Sequence, residues 1–144
     1  PLQNLIAAGH RETVVSALRM APELDSGPVY LKRPLSLEGR AQEIYERAAE
    51  IVFAMIGDIV RDEPAPLPQR GDAVYFQRRT PEESLLPATA TLAGAYDHIR
   101  MLDADGYPPA FLDHGELRLE FSHAELAGNG DVTTRVSIRK RPTE

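Results

Sequence analysis

The feature that most constrains this chain is a long apolar stripe that stops at a run of alternating prolines. Leu37, Ala41, Ile44, Tyr45, Ala48, Ile51, Val52, Met55, Ile56 and Ile59 recur at i, i+3 and i+4 spacing, which puts them along one side of a helix. Ser36 stands where a cap would accept backbone N–H groups, and Glu38 falls where a negative charge complements the helix dipole. The spacing therefore predicts a helix from Ser36 to about Asp62. Pro64, Pro66 and Pro68 follow, and alternating prolines favour an extended, semi-rigid backbone. A chain broken in this way near its middle is expected to fold as two parts.

Before the helix, "LQNLIAAGH" carries Leu2, Leu5, Ile6 and Ala8 at helical spacing, with Gly9 as a stop. "ETVVSALRM" is apolar on both faces, which predicts a strand buried on both sides, as in a parallel sheet covered by helices. "PVYLKR" is a second strand, with Val29 and Leu31 on one face. Between the two strands, Asp25-Ser26-Gly27-Pro28 reads as a turn. Asp and Ser bond their own backbone there, and Gly supplies a positive φ. On these grounds alone Asp25 is a turn former.

Beyond the prolines the pattern changes. "DAVYFQRRT" predicts a strand, and "TLAGAYDHIRMLDADG" a helix with Leu92, Ala95, Tyr96, Ile99 and Leu102 on one face and Gly106 past its end. Leu117, Leu119 and Phe121 alternate after a turn at Gly115, and "GNGD" leads into "VTTRVSIRK", where Val132, Val136 and Ile138 share one parity. This half is expected to be antiparallel β with one helix.

Composition removes several kinds of chemistry. With no cysteine, disulfides, zinc–thiolate sites and thiol nucleophiles are excluded, which suits a reducing compartment. The net charge of −6, from 16 basic against 22 acidic residues, argues against non-specific binding to nucleic acid or anionic membrane. Arg139-Lys140-Arg141 is the one local basic run. No apolar stretch approaches the ~18 residues of a membrane span and no signal-peptide pattern opens the sequence, so the expected location is cytoplasmic. There is no Gly-rich phosphate loop and no G-x-S-x-G. His10, His98, His114 and His123 are not spaced as a ligand set, and no metal is expected. Arg78 and Arg79 have two readings. They clamp a phosphate or carboxylate, for which the planar guanidinium is suited, or they pair with Glu82, Glu83 or Asp97.

Taken together, the fragments resemble a known family. "LQNLIAAGHRETVVSALRMAPELDSGPVYLK" is similar to the second half of the catalytic domain of 10-formyltetrahydrofolate-dependent formyltransferases, where a helix and a Gly lead to a Thr-containing strand and a Leu-Asp-x-Gly turn. "YFQRRTPEESLL" with "YDHIRMLDADGYPPAFL" resembles that family's C-terminal domain, and the order matches from residue 1 to about 125. The resemblance implies an α/β part followed by a small mainly-β domain. Residues 1–63 would be the second half of a doubly wound catalytic domain including the long helix, 64–71 a Pro-rich linker, and 72–144 the antiparallel C-terminal domain with its one helix.

It also implies an activity, transfer of a formyl group from 10-formyltetrahydrofolate to an amine. In the family the Asp of the Leu-Asp-x-Gly turn acts beside an Asn and a His, and here it falls on Asp25. Backbone groups of Met20, Glu23, Leu24 and Asp25 would line the folate pocket, and Arg78 and Arg79 would bind substrate. The family's Asn-x-His motif precedes the stretch aligned with residue 1, so the chain reads as one entered midway, inactive alone and with its first ~35 residues poorly stabilised where an edge strand lacks neighbours. Pro109 stands where many relatives have Gly, and "RMLDADGYPPAF" is longer than the methionyl-tRNA formyltransferase form. Because residues 71–144 hold 12 acidic against 8 basic residues, an amino-sugar nucleotide is the expected acceptor, ahead of tRNA, whose phosphates call for Lys and Arg. A basic stripe of Arg135, Arg139, Lys140 and Arg141 would reverse that order. A homodimer is a further expectation, and a non-catalytic recognition or dimerisation module over residues 70–144 is the alternative to an enzyme.

Overall fold

Two antiparallel sheets and three helices form the computed structural model, which describes residues 2–142. Pro1, Thr143 and Glu144, at the outer ends of the two expected domains, lie outside the described residues. The chain clusters into two compact units. One, here the hairpin unit, holds residues 11–38 and 44–75; the other, the C-terminal unit, holds the residues up to 10, 39–43 and those from 76 onward.

In the hairpin unit, β1 (Glu12–Leu18) and β2 (Val29–Ser36) pair antiparallel, from Glu12 opposite Ser36 to Ala17 opposite Leu31. The parallel sheet expected from the two-sided apolar pattern of residues 12–20 is thus replaced by a hairpin. Only the ten residues 19–28 connect the strands, and a parallel crossover needs a dozen or more. Thr13, Val15 and Ala17 are half-buried, while Val14 on the opposite face stays exposed.

The long helix, α2 (Ala41–Asp62), begins five residues later than the spacing predicts. Ser36 ends β2 instead of capping the helix, and its Oγ accepts the Glu38 N–H at 3.2 Å. The turn into the helix is made by Gly39 at φ +86°, and Glu43, not Glu38, is the acid of the first turn. Its carboxylate accepts the Arg40 N–H at 2.9 Å, satisfying one of the backbone donors a helix start leaves open. Further along, Arg47 donates to the carbonyls of Ser36 and Glu38 at 3.0 and 2.6 Å, and Arg33 on β2 pairs with Asp58 at 3.0 Å. These bonds join β2 to the helix, and Leu35, Leu37, Ile44 and Met55 are this unit's buried apolar residues.

The proline segment over 64–71 is bonded to the same hairpin. Leu67 and Val29 exchange both backbone hydrogen bonds, at 2.7 and 2.9 Å. Residues 72–80, expected as a strand, join no ladder. Val74 and Tyr75 there are exposed, and β propensity without a neighbouring strand to pack on does not make a sheet.

The C-terminal unit contains α1 (Leu2–Ala7), a 3-10 turn (Pro81–Ser84), α3 (Leu92–Arg100) and a sheet in the order β3 (Ala110–His114), β4 (Leu117–Leu126) and β5 (Val132–Lys140). The hairpins fall where Gly115 and the "GNGD" turn place them. Ile6, Ile99, Met101, Leu102, Ala110, Phe111 and Ala124 are buried here. So is Arg100, 1% exposed, whose Nε meets Asp97 at 2.7 Å and whose Nη1 donates to the Gly39 carbonyl at 2.9 Å. A buried guanidinium is tolerated because its charge is paired and its donors are used. β4 breaks register between Ser122 and Glu125, where His123 takes φ +52° and donates its N–H to Asp103 Oδ2 at 2.6 Å. Among the described residues no helix is long and apolar enough to cross a membrane.

Candidate functional site

The turn that carries Asp25 is built differently from its sequence reading. Asp25 itself adopts the positive φ, +54°, while Gly27 is needed for space: a Cβ there would overlap the Arg19 carbonyl. Asp tolerates the left-handed region better than most residues because its short side chain bonds locally. Four bonds then shape the turn. Arg19 N–H donates to the Pro28 carbonyl at 2.8 Å, and Ser26 Oγ donates to the Glu23 carbonyl at 3.0 Å. Gln69, beyond the long helix, forks its amide onto the carbonyls of Asp25 and Gly27 at 2.7 and 2.8 Å.

The backbone of this turn is therefore held, while several of its side chains stand in solvent. The Asp25 carboxylate makes no hydrogen bond or ion pair among the described residues, and Met20 and Leu24 are 92% and 93% exposed. Glu23 is exposed as well. The four residues expected at a folate pocket thus lie around one turn with their side chains available.

A second place lies within the C-terminal unit. A pocket of about 500 Å³ is lined by Gln3 and Asn4 of α1, residues 77–81, Ser84, Leu102 and residues 106–108. Arg78 and Arg79 both line it. Among the described residues these arginines form no ion pair with the carboxylates of Glu82, Glu83 or Asp97, the pairing that one of the two sequence readings expects. Arg79 donates to the Glu83 carbonyl at 2.6 Å, the Glu83 carboxylate instead accepts the Thr80 N–H at 2.5 Å, and Asp97 is taken by Arg100. Arg78 has no partner among the described residues, and no acidic residue lines the pocket.

Beside it, His98 Nε2 lies 3.2 Å from the Ser84 carbonyl. Burial pushes the imidazole's pKa below its ordinary value, and the Arg79 charge adds to that, against the opposing effect of the Ser84 carbonyl. Both cationic neighbours and low polarity disfavour a second positive charge.

The C-terminal sheet has a polar face as well. Cross-strand register puts Asp113, Arg118 and Arg139 in one row and Phe111, Glu120 and Ser137 in the next, with Ser122 opposite Arg135. Arg118 grips Asp113 through two bonds of 2.8 and 2.9 Å and lies 3.7 Å over the Phe111 ring. The Asp113 carboxyl is held below its usual pKa, chiefly by that hydrogen bond. Arg139 meets Glu120 at 2.8 Å and Arg141 meets Asp113 at 3.3 Å. Of the expected basic stripe, Arg135, Arg139 and Arg141 fall on this side, whereas Lys140 sits opposite Leu117 on the other parity. Arg118, which the sequence did not single out, takes its place, so four arginines stand against three carboxylates, those of Asp113, Glu120 and Glu125.

Gln69 is the other residue sequence reasoning missed, since nothing local marks an amide that bonds a turn more than forty positions earlier. Among the described residues no group of three His, Cys, Asp or Glu side chains is placed to hold a metal.

Residues 81–139 match the family model described as the C-terminal domain of methionyl-tRNA formyltransferase. The chain is 32% identical, over 142 residues, to methionyl-tRNA formyltransferase from a Methylobacterium species, covering 90% of this chain and 45% of that protein. Among solved structures, methionyl-tRNA formyltransferase from Clostridium thermocellum shares 44% identity with a TM-score of 0.93, covering 98% of this chain and 62% of that one. The chain thus spans about half the length of the curated relatives it matches. HypX from Aquifex aeolicus in complex with tetrahydrofolic acid, at 21% identity and a TM-score of 0.59 over 90% of this chain and 24% of its own, shares the fold.

Proposed function

We propose that this chain, a homologue of formyltransferases over their C-terminal part, belongs to a protein that transfers a formyl group from 10-formyltetrahydrofolate to the amino group of methionyl-tRNA. The observation that carries the proposal is the 44% identity to a methionyl-tRNA formyltransferase across 98% of the chain. The amino-sugar acceptor expected from acidity gives way to it. Net charge is a property of a whole domain, whereas phosphate contacts are made by one face, and the polar face of the β3-β4-β5 sheet carries more arginine than carboxylate. Residues 72–144 accordingly recognise RNA, and residues 1–63 contribute to the catalytic domain, in the cytoplasm.

In this reading Asp25 is the chemical residue. The acceptor amine attacks the formyl carbon; the new C–N bond forms, the bond from that carbon to the folate nitrogen breaks, and the proton the amine gives up ends on that nitrogen, which leaves as tetrahydrofolate. A carboxylate on a backbone fixed by Gln69 orients a neighbouring base and stabilises its protonated form as that proton leaves. Met20 and Leu24 offer the apolar contact a pterin ring calls for.

The test uses the full-length protein. Asp25→Asn should lower formylation of methionyl-tRNA by about 10²-fold or more, the low end of general acid–base effects, while tRNA binding is kept. An unchanged turnover would instead support the non-catalytic module. Amino-sugar nucleotides tested as acceptors should remain unformylated, and binding of tRNA should weaken as salt rises.

A further inference from the structure

We infer that the pocket of the C-terminal unit binds a nucleotide through its phosphate, with Arg78 as the principal contact and Arg79 as the second. The inference does not rest on the formyl-transfer reading, since it uses only the pocket, its charge and its neighbours.

Three observations carry it. First, the chain is acidic overall, yet among the pocket's lining residues there are two arginines and no carboxylate. A pocket with that balance selects anions, because an arginine without an acidic partner attracts one from solution. Second, both charges are uncompensated. Among the described residues Arg78 has no partner, and Arg79 spends one N–H on a neutral carbonyl, that of Glu83, leaving the rest of its fork open. Glu83 is kept from neutralising Arg79 by its bond to the Thr80 N–H. Third, the volume of about 500 Å³ falls within the range of small-ligand sites and exceeds the needs of a bare phosphate. Tyr107, 46% exposed, supplies a ring on which a base stacks, and Asn4 and Gln77 supply amides for its edge.

A nucleotide phosphate has two sources, a free 5′-mononucleotide and the backbone of single-stranded RNA. The test therefore has several arms, read by backbone amide shifts of Arg78, Arg79, Thr80 and Tyr107 in the full chain. Uridine monophosphate and inorganic pyrophosphate should each give saturable shifts at these amides, and uridine, which lacks the phosphate, should not. A short single-stranded oligoribonucleotide that binds more tightly than the monophosphate assigns the site to RNA; the reverse order assigns it to free nucleotide.

Arg78→Gln should weaken binding about tenfold, as expected for the loss of one charge-assisted contact, and Arg78→Lys should recover part of it. Because Arg78 is exposed and unbonded, neither variant should disturb folding, which the unchanged amide spectrum outside the pocket would verify. Ligand should also move the His98 titration upward, since a phosphate on Arg79 cancels a charge that lowers it. The proposal is overturned if no saturable shift appears, if uridine matches its monophosphate, or if Arg78→Gln binds as well as the wild type.

Discussion

The two units solve the same problem in different proportions. The C-terminal unit packs Ile6, Ile99, Met101, Leu102, Ala110 and Phe111 out of solvent and even buries Arg100 at a paired position. The hairpin unit buries Leu35, Leu37, Ile44 and Met55 but leaves Val14, Val52, Phe53, Ile56 and Val60 exposed. Residues 52, 56 and 60 follow one another at four-residue steps, so they form a continuous apolar band along α2. What holds the hairpin unit together is correspondingly more polar: Arg47 on two carbonyls, Arg33 on Asp58, and Gln69 on the Asp25 turn. The C-terminal unit also exposes Leu92, Leu117, Val136 and Ile138 and ties its sheet through Arg118, so the difference is one of degree: it hides more. Exposed apolar bands of this kind mark surfaces made for further protein.

The contrast is breakable by mutation. The largest effect should come from Asp97→Ala, which strands the Arg100 charge in the interior. Breaking such a pair costs about 3–5 kcal/mol, so thermal unfolding should show a loss of that size. A loss near zero would mean that Arg100 reaches solvent in solution, and the C-terminal unit would lose its distinction.

Gln69→Ala should have a smaller effect, about 1–2 kcal/mol for two hydrogen bonds, concentrated locally. Amide exchange of residues 25–29 should accelerate while the β3-β4-β5 sheet is unaffected. Exchange that stays slow would show that the Leu67 bridge alone holds the turn. The smallest effect belongs to Phe53→Ser. At 74% exposure the ring contributes little to the chain itself, and stability should change by no more than about 0.5 kcal/mol. A larger loss would show that the band on α2 is already covered.

Sequence and structure agree where information is local. The stripe from Ala41 to Ile59 and the alternation of β4 and β5 each follow from neighbours within a few residues, whereas α3 stops at Arg100, short of the Gly106 stop the sequence predicts. They part where a distant partner decides. Residues 12–20 look buried on both sides because apolar residues occupy both parities, yet the short connection to β2 makes them half of a hairpin. Ser36 resembles a cap, but pairing with Glu12 claims it for a strand. Residues 72–80 have the composition of a strand and no strand beside them.

The candidate site divides in the same way. Asp25 was legible through the motif around it, and Arg78 and Arg79 through their adjacency. Gln69 was not, nor was the enclosure of the arginines by Asn4 and Tyr107, which come from separate elements.

The clip of Gln69 also has a consequence for the order of synthesis. β1 and β2 are close in sequence and can zip together soon after they emerge from the ribosome. The tip of that hairpin cannot be pinned then, because its amide partner is encoded beyond all of α2, at a separation of 44 residues. The turn that presents Asp25 thus lacks this clip until residue 69 has been made. A nascent chain stalled within the helix would carry the whole of the Asp25 segment and still lack its clip.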